Sequence, residues 1–485
     1  MERVKTLEEI TSIMRSKEPE HISLVQKAYD FAERAHHGQK RYSGDPYFIH
    51  VAAVGYTLAE MGMGATTISA GLLHDVVEDA NVSAEDIEKE FGEEICILVD
   101  GVTKLGKLKY RGVERHVESL RKLFVSTAKD LRVIIIKLAD RLHNVSTLKY
   151  VPKEKQQRIA LETLEIYAPI ANRLSIGKIK GKLEDYAFPF AYPEEYEKLQ
   201  ELLKERTREN EKRLEKTYRG IQVELAKNGM INVHGEFRIK RMYSLYKKLL
   251  ERKMDISKIY DLSAIRVIVP TLSDCYRALG IIHSVWRPLP GRIKDYIAFP
   301  KPNGYQSLHT TIFTGDGGII EVQLRTEEMD RDASLGIAAH FAYKENIPLE
   351  GDGKLARKLD WVKQISQLQQ SISASGEYLE NLKVDFFGDR IFLFTPLGDV
   401  VDLPVDSSPI DFAYAIHSDI GDHVSGANIN GKFLSLDTKL HNGDIVEIIT
   451  KKSAHPSNKW LAYTKTTFAK KSVRSFLQKE AESKK

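Results

Sequence analysis

Residues 72–80, LLHDVVEDA, place two kinds of side chain on opposite sides of one predicted short helix. At about 100° per residue, the apolar residues share one arc, and His74, Asp75, Glu78 and Asp79 share the other. Three carboxylates this close repel one another and raise one another's pKa, so they need a nearby cation or free access to water. A divalent metal satisfies that need. The alternative is the solvated face of an amphipathic helix.

A second stretch, residues 133–148, VIIIKLADRLHNVSTL, predicts a strongly apolar helix. It carries Asp140 and Asn144 four residues apart and therefore on one face. A carboxylate beside such an apolar run needs an ion pair or a metal, and Arg141 could provide the ion pair. Residues 46–51, PYFIHV, add His50, which taken alone is more typical of a structural histidine than of a ligand.

Considered together, these stretches offer a mixed set of nitrogen and oxygen ligands. The set is His50, His74, Asp75 and Asp140. Such a set suits manganese, iron or zinc better than calcium. Glu78 and Asp79 are then available for acid and base catalysis on water that the metal activates.

The composition is that of an ordinary globular protein. The chain has 485 residues, of which 42% are hydrophobic and 29% charged, so about three domains are expected. A net charge of +4 gives no overall argument for binding nucleic acid or membrane. Two distant cysteines, Cys96 and Cys275, exclude a disulfide framework and fit a reducing compartment. With neither a signal core nor a long apolar run, the sequence predicts a cytoplasmic protein.

The first part of the chain, residues 1 to about 175, predicts an all-helical domain from its apolar spacing. Residues 38–46, GQKRYSGDP, predict a turn-rich loop that brings Lys40 and Arg41 close in sequence to His50. Residues 105–115, LGKLKYRGVER, predict a basic loop, which either reaches phosphates or is simply exposed. A long charged helix over residues 194–227, ended by Asn228 and Gly229, predicts a connector.

From residue 235 the pattern changes to alternating strands and helices, which predicts an α/β domain over residues 235–345. Residues 260–270, YDLSAIRVIVP, predict a buried strand with Asp261 at its start. Residues 318–326, GIIEVQLRT, predict a strand on which Glu321, Gln323 and Arg325 face one way. An acid on each of two strands suits magnesium, which binds a few carboxylates together with substrate phosphates.

Between these strands lies a loop with the composition of a nucleotide site, residues 291–311, GRIKDYIAFPKPNGYQSLHTT. Its prolines and glycines break regular structure and present several cations beside an aromatic ring. These side chains are Arg292, Lys294, Lys301, Asn303, Tyr305 and His309. A purine ring can stack on Tyr305 while the phosphates meet the cations. Residues 237–250, FRIKRMYSLYKKLL, are basic with interleaved aromatics and could bind RNA or nucleotide phosphates.

The remainder predicts a small domain of short strands, a helix and turns over residues 385–450, preceded by a polar linker. His417 and His441 within it are interpreted as structural or partner contacts. Residues 451–485 carry ten Lys or Arg against two Glu in a helical pattern, which fits either an RNA contact or a solvated helix.

A histidine, then His-Asp, then a distant Asp resembles the HD phosphohydrolase superfamily. The HDxxED form with ADRLHN downstream resembles the hydrolase half of the bifunctional RelA/SpoT homologues, which make and destroy the alarmone (p)ppGpp. That resemblance implies a Mn²⁺-dependent hydrolase that removes the 3′-pyrophosphate from (p)ppGpp. It also implies that Arg41 contacts the guanine base and Asn144 the ribose.

Three further motifs, RIKDYIA, KPNGYQSLHT and IEVQLRT, resemble the RelA/SpoT synthetase domain, which is similar to polymerase-beta-like nucleotidyltransferases. The implied reaction moves pyrophosphate from ATP to the 3′-hydroxyl of GDP or GTP. The resemblance implies that Asp261 and Glu321 hold Mg²⁺, with Glu321 also the base. It implies that Tyr305 stacks on guanine, with Asn303 nearby. The implied ATP phosphate contacts are Arg238, Lys240, Ser244, Lys301 and His309.

The last domain resembles a TGS domain, a β-grasp module. The resulting prediction is a hydrolase domain (1–175), a helical connector (176–234), a synthetase domain (235–345), a helical linker (346–384), a TGS domain (385–450) and a basic helix (451–485). We expect a bifunctional enzyme whose helices between residues 152 and 229 couple the two sites reciprocally. Two alternatives stay open. One is a hydrolase with a silent, nucleotide-sensing synthetase domain, and the other is a nucleotide switch that contacts the ribosome or tRNA through the TGS domain and basic tail.

Overall fold

The computed structural model describes residues 3–103, 112–255, 263–301, 303–341 and 383–483. The described chain divides into two compact units, residues 1–366 and 367–485. The first unit begins with helices throughout. They are α1 (Leu7–Ile13), α2 (Pro19–Ala35), α3 (Phe48–Glu60), α4 (Ala65–Leu73), α5 (Val76–Asp79), α6 (Ala84–Phe91), α7 (Glu93–Val102), α8 (Gly112–Lys129), α9 (Arg132–Ser146), α10 (Lys153–Glu162) and α11 (Ala168–Arg173).

Helices α3, α4 and α9 form the centre of this helical domain, and their apolar side chains are almost wholly buried. Gly55 and Gly71 permit the close packing of α3 on α4, because a Cβ on Gly55 would lie 2.7 Å from Leu72 and one on Gly71 would lie 2.2 Å from Leu58. These helices carry the polar residues that the sequence singled out. The predicted all-helical domain is confirmed.

The single helix predicted for residues 72–80 is wrong. Helix α4 ends at Leu73, the chain turns at His74 and Asp75, and a separate short helix, α5, follows. Both residues keep backbone angles of the right-handed helical region through this turn. Both are buried, whereas Glu78 is half-buried and Asp79 is exposed.

The predicted basic loop over residues 105–115 is partly wrong. Residues 104–111 lie outside the described residues, but α8 is already helical from Gly112.

Two long helices connect the helical domain to the α/β domain. They are α12 (Gly177–Ala191) and α13 (Pro193–Lys227). As predicted, the helix stops at Asn228 and Gly229: α13 ends at Lys227, Asn228 is its C-cap, and Gly229 follows with φ +77°. A short π-helix, Thr163–Tyr167, precedes α11. Phe188 of α12 and Leu199 of α13 pack against Leu245 and Leu249 of the next helix, so the connector shares a core with the α/β domain.

Five described strands form the mixed sheet of the α/β domain, in the order β1-β2-β5-β4-β3. Only β2 and β5 pair in parallel, with Ala264 opposite Glu321. The strands are β1 (His234–Ile239), β2 (Ser263–Val269), β3 (Lys294–Asp295), β4 (Leu308–Phe313) and β5 (Ile319–Thr326). The helices are α14 (Met242–Glu251), α15 (Leu272–Val285), α16 (Glu327–Leu335) and α17 (Ala338–Phe341). One face packs through Ile265, Val267 and Val322 onto α13 and α15.

The second unit contains short strands and helices, as predicted for residues 385–450. It begins with a π-helix (Lys383–Phe387) and continues with β6 (Arg390–Phe394), β7 (Val400–Pro404), α18 (Pro409–Ile416), α19 (Ser418–Asp422), β8 (Val424–Ile429), β9 (Lys432–Leu434), β10 (Val446–Thr450), α20 (Trp460–Tyr463) and α21 (Thr467–Ser483). Buried Asp411 joins the last helix to the domain, because its carboxylate accepts hydrogen bonds from the backbone amides of Lys465 and Thr466. The predicted linker over residues 346–384 lies almost entirely outside the described residues.

Among the described helices, none combines the length and the apolar character needed to cross a bilayer.

Two candidate catalytic sites

Three helices bring a cluster of possible metal ligands together inside the helical domain. Helix α3 supplies His50, the turn after α4 supplies His74, and α9 supplies Asp140. One ligand atom from each lies within 4.8 Å of the others. The Nε2 atoms of His50 and His74 are 3.3 Å apart, and Asp140 Oδ1 is 3.3 Å from the first and 3.8 Å from the second. The fourth predicted ligand, Asp75, places Oδ2 3.3 Å from His50 Nε2 and 3.1 Å from His74 Nε2.

These side chains fit a divalent cation. Ligands that bind one ion at about 2.1 Å lie roughly 3–4 Å from one another, which matches the observed spacing. The Nδ1 atom of His74 lies 2.8 Å from the carbonyl oxygen of Gly71, so a neutral His74 carries its proton there and offers the Nε2 lone pair to the cluster. Burial lowers the pKa of His74, but Asp75 and Asp140 raise it by more than burial lowers it, so the pKa is raised overall. The cluster thus attracts positive charge.

The ion pair suggested for Asp140 has a different partner. Arg141 instead bonds Glu162 at 2.7 Å and lies 4.1 Å from the ring centroid of Tyr167, so that expectation is wrong. Lys137 places Nζ 2.5 Å from Asp140 Oδ2. Burial raises the pKa of Asp140, yet Lys137 and the two histidines lower it more, and the carboxyl is held well below its usual range.

The predicted nucleotide contacts Arg41 and Asn144 lie at the same cluster and bond each other. Arg41 donates from Nη2 to Asn144 Oδ1 at 2.8 Å, and its Nη1 lies 2.7 Å from His143 Nδ1. Asn144 in turn donates from Nδ2 to Asp140 Oδ1 at 2.5 Å. A base or ribose that bound here would therefore meet groups already joined to the metal ligands.

Sequence reasoning missed Tyr47, whose hydroxyl lies 2.8 Å from Asp75 Oδ2 and 3.0 Å from Asp79 Oδ2. The residue thereby joins a predicted metal ligand to a predicted acid or base. Burial and these two carboxylates raise the pKa of Tyr47, so the phenol stays protonated and donates. Its position three residues before His50 on the helix entry was a signal that could have been used.

The second site lies on the sheet of the α/β domain around Glu321 of β5. Glu321 Oε1 lies 3.2 Å from His309 Nδ1 and accepts from Gln323 Nε2 at 2.6 Å. Gln323 in turn accepts from Arg325 Nη2 at 3.0 Å, which confirms that the three polar residues of β5 share one face. Asp261, the second predicted magnesium ligand, lies outside the described residues, as does the side chain of Arg238.

A chain of hydrogen bonds reaches Glu321 from buried Arg325. Arg325 Nη2 donates to the Tyr305 hydroxyl at 2.9 Å, and that hydroxyl lies 2.9 Å from His309 Nε2. Because a guanidinium only donates, the phenol proton points to His309 Nε2, and the imidazole proton sits on Nδ1, facing Glu321. Burial lowers the pKa of His309, which favours this neutral form. The strand pattern alone did not indicate that Gln323 and Arg325 take part in the site.

The loop that precedes β4 is more ordered than the sequence indicated. His309 lies on β4, where it pairs with Lys294 of β3, so the expectation that both belong to an irregular loop is wrong. Tyr305 is half-buried rather than exposed. Lys301 places Nζ 4.7 Å from the ring centroid of Tyr296 and 5.1 Å from that of Tyr305. Burial lowers the pKa of Lys301 to about 8.

The other predicted contacts lie around this loop or at the connector. Arg292 and Lys294 are exposed beside the loop, and Lys240 lies just before α14. Ser244 of α14 donates to buried Glu184 of α12 at 3.3 Å, so its hydroxyl lies against the connector. The side-chain amide of Asn303 likewise bonds the carbonyl oxygen of Asn172 at 3.0 Å.

Comparisons with known proteins match three domain families along the chain, in the order that the sequence motifs predicted. Residues 28–177 match the HD domain family, residues 237–348 match the region found in RelA/SpoT proteins, and residues 391–450 match the TGS domain family. The HD match contains the histidine and aspartate cluster, and the second match contains Glu321 with its partners.

Several relatives resemble nearly the whole chain. A GTP pyrophosphokinase from Myxococcus xanthus is 45% identical over 466 residues, which are 95% of this chain and 61% of the relative. A guanosine-3′,5′-bis(diphosphate) 3′-pyrophosphohydrolase from Aquifex aeolicus is 44% identical over 98% of this chain and 67% of its own length. The bifunctional (p)ppGpp synthase/hydrolase SpoT of Escherichia coli is 42% identical over 97% of this chain and 67% of its own length. The chain spans only 58–61% of the GTP pyrophosphokinases that it matches in Myxococcus and Streptomyces.

Proposed function

Since this chain belongs to the RelA/SpoT family, we propose that it both synthesises and hydrolyses (p)ppGpp. The relatives carry names for each activity, and the chain contains a group of side chains suited to each. The observation that carries the proposal is the presence, in one compact unit, of the buried cluster around His74 and of the sheet site around Glu321.

In hydrolysis, water attacks the phosphorus bound to the 3′-oxygen of (p)ppGpp. The bond between that phosphorus and the 3′-oxygen breaks, giving pyrophosphate and the 3′-hydroxyl of GDP or GTP. We propose that Asp79 and Glu78, on the short helix that follows His74 and Asp75, take the proton of the attacking water and return one to the leaving oxygen. Arg41 and Asn144 hold the nucleoside in place, and the Tyr47 hydroxyl orients Asp79.

A divalent cation held by His50, His74, Asp75 and Asp140 would supply Lewis acidity for this attack and offset charge on the phosphate. We propose Mn²⁺, because two imidazoles with two carboxylates favour a transition metal over Ca²⁺ or Mg²⁺.

In synthesis, the 3′-oxygen of GDP or GTP attacks the β-phosphorus of ATP, the bond to the α-phosphate oxygen breaks, and AMP leaves. We propose that Glu321 accepts the proton of the 3′-hydroxyl, held in position by His309 and Gln323. Lys301, Lys240 and Arg238 would bind the ATP phosphates, while Arg292 and Lys294 lie beside the same loop. Mg²⁺ on Glu321 and Asp261 would offset charge on those phosphates.

Anion-exchange chromatography of nucleotides tests both activities. The chain is incubated with ATP and GDP in Mg²⁺, and Mn²⁺ is then added. We expect a more highly charged guanosine peak together with AMP, followed by loss of that peak and release of pyrophosphate. Glu321→Gln should abolish the first change but still degrade supplied ppGpp, whereas Asp140→Asn should form the peak and abolish only its loss. These variants are matched, because each replaces one carboxylate oxygen by the nitrogen of an amide group.

The alternatives predict different outcomes. A hydrolase with a silent synthetase domain would consume supplied ppGpp, form none from ATP and GDP, and be unaffected by Glu321→Gln. A nucleotide switch would bind nucleotides without turning them over.

We further propose a cytoplasmic enzyme whose TGS domain and basic tail contact ribosomal RNA or tRNA. Helix α21 packs onto its domain through Ala469 and Val473 and leaves Lys471, Arg474 and Lys479 exposed. Binding of RNA should weaken steeply as salt rises, and a filter-binding titration at two salt concentrations tests this.

A further inference from the structure

His143 lies directly behind the metal-ligand cluster, on the same helix as Asp140. It is buried and three residues beyond that ligand, so both side chains leave α9 on one face. Its Nδ1 atom is 2.7 Å from Arg41 Nη1 and 2.9 Å from His50 Nδ1. One nitrogen therefore touches both a predicted nucleotide contact and a predicted metal ligand.

The chemistry of the partners fixes where the protons lie. A guanidinium can only donate, so His143 Nδ1 must accept the hydrogen bond from Arg41. A nitrogen that accepts carries no proton, so the proton between the two imidazoles must belong to His50 Nδ1. His50 then presents the bare lone pair of Nε2 to His74, Asp75 and Asp140.

His74 also presents an unprotonated Nε2, but its Nδ1 has a different hydrogen-bond partner. Its Nδ1 lies 2.8 Å from the carbonyl oxygen of Gly71, an ordinary acceptor for a metal-binding histidine. His50 Nδ1 instead lies 2.9 Å from another imidazole nitrogen, the Nδ1 of His143. The Nδ1 of that imidazole is an acceptor because the guanidinium of Arg41 donates to it.

We propose that His143 is a positioning residue that sets the tautomer of His50 and holds Arg41, so that the metal site and the nucleotide pocket are prepared together. The inference rests on the proposed hydrolase function. A metal ligand whose outer partner is removed can rotate or exchange its ring proton, and such losses weaken metal binding by about 10- to 100-fold. Release of Arg41 would in addition raise KM for (p)ppGpp.

Two amide variants separate this role from mere packing. The Oδ1 of Asn can occupy the place of the His143 Nδ1, whereas the amide of Gln extends to the place of Nε2. His143→Asn therefore keeps the acceptor and His143→Gln misplaces it, although both are polar and buried in the same pocket. His143→Leu removes the acceptor and keeps an apolar side chain.

The test measures binding of Mn²⁺ to the full chain without nucleotide, using calorimetry and the electron paramagnetic resonance signal of free Mn²⁺. The Asp140→Asn chain gives the baseline for ions bound elsewhere, and thermal melting of each variant monitors the fold. We expect affinity to fall about 10- to 100-fold in His143→Gln and His143→Leu and to stay near wild type in His143→Asn. Values of KM for ppGpp should follow the same order.

Equal losses in the Asn and Gln variants, or no loss in either, would overturn the inference while wild-type hydrolysis stood. A wild-type chain that bound no Mn²⁺ above the baseline and hydrolysed no ppGpp would overturn the proposed hydrolase and the inference together.

Discussion

The side-chain amide of Asn303 donates a hydrogen bond to the backbone carbonyl oxygen of Asn172 at 3.0 Å, joining the loop before β4 to the end of α11. The Ser175 hydroxyl bonds the carbonyl oxygen of Asn303 at the same junction. Close by, Ile337 donates its backbone amide to the carbonyl oxygen of Leu174 at 2.9 Å. A loop proposed to bind substrate is therefore hydrogen-bonded to α11, the last helix of the helical domain, and to the residues that follow it.

We predict that Ser175→Gly weakens coupling between the two sites and leaves each separate activity in place. Glycine tolerates the φ of +59° at this position, so the variant removes the hydroxyl without straining the backbone. If saturating ATP and GDP slow hydrolysis in the wild type, loss of one such hydrogen bond should reduce that effect by roughly two- to tenfold. Hydrolysis rates with and without ATP and GDP measure it. An unchanged ratio would show that this junction does not carry coupling.

Removal of the Lys137 charge should make the fold depend more on metal. Lys137 is buried and bonds Asp140 Oδ2, so Lys137→Met leaves a buried carboxylate without its partner, a change that costs about 3–5 kcal/mol. A cation bound at Asp140 Oδ1 would restore much of that loss. We therefore expect a lower Tm without metal and a larger rise in Tm with Mn²⁺ than in the wild type. Differential scanning calorimetry measures both, and equal rises in Tm would contradict the prediction.

The ion pair between Lys137 and Asp140 also determines how the stability of the fold depends on pH. Since the pKa of Asp140 lies well below 3.8 in the folded chain, its ionised carboxylate stabilises the fold above about pH 4. That contribution disappears as the pH falls through the folded pKa. Lys137→Met raises the pKa of Asp140, so acid unfolding should begin at a higher pH. Circular dichroism during an acid titration detects the shift.

The affinity of the chain for ATP in the synthesis reaction should fall as the pH rises through about 8. Burial lowers the pKa of Lys301 to about 8, so the free chain loses this positive charge near that pH. We expect kcat/KM for ATP to fall on the alkaline side with a midpoint near 8, since this ratio reports groups of the free enzyme. Lys301→Arg keeps the charge and should remove that midpoint. If the profile of the Arg variant matched the wild type, another group would be responsible.

The periodicity of the sequence predicted the layers of the fold, because buried helices and strands impose their spacing locally. The suggestion that Arg141 forms an ion pair with Asp140 was wrong, although Lys137 could have been identified from the sequence as the partner. Residues three apart share a helix face, whereas Arg141, adjacent to Asp140, points elsewhere. The contact between Arg41 and His143 joins positions 102 residues apart, and only the packing of α9 against the loop creates it. The turn at His74 was also missed, since a regular helix pattern continues through it.

Removal of a single hydroxyl at Tyr47 should slow hydrolysis more than it destabilises the fold. The single phenol proton is shared between the carboxylates of Asp75 and Asp79, so Tyr47→Phe frees the proposed acid or base to adopt other rotamers. Outer partners of this kind contribute about 10- to 100-fold to activity, and we expect a fall in kcat of that size. Tyr29→Phe is the matched control, because its hydroxyl lies in the same domain but bonds the Lys5 carbonyl oxygen at 3.0 Å rather than a residue of the cluster. Both variants lose one hydrogen bond, worth about 0.5–1.5 kcal/mol of stability, but only Tyr47→Phe should lose kcat. Similar kcat values in the two variants would show that Tyr47 serves packing rather than catalysis.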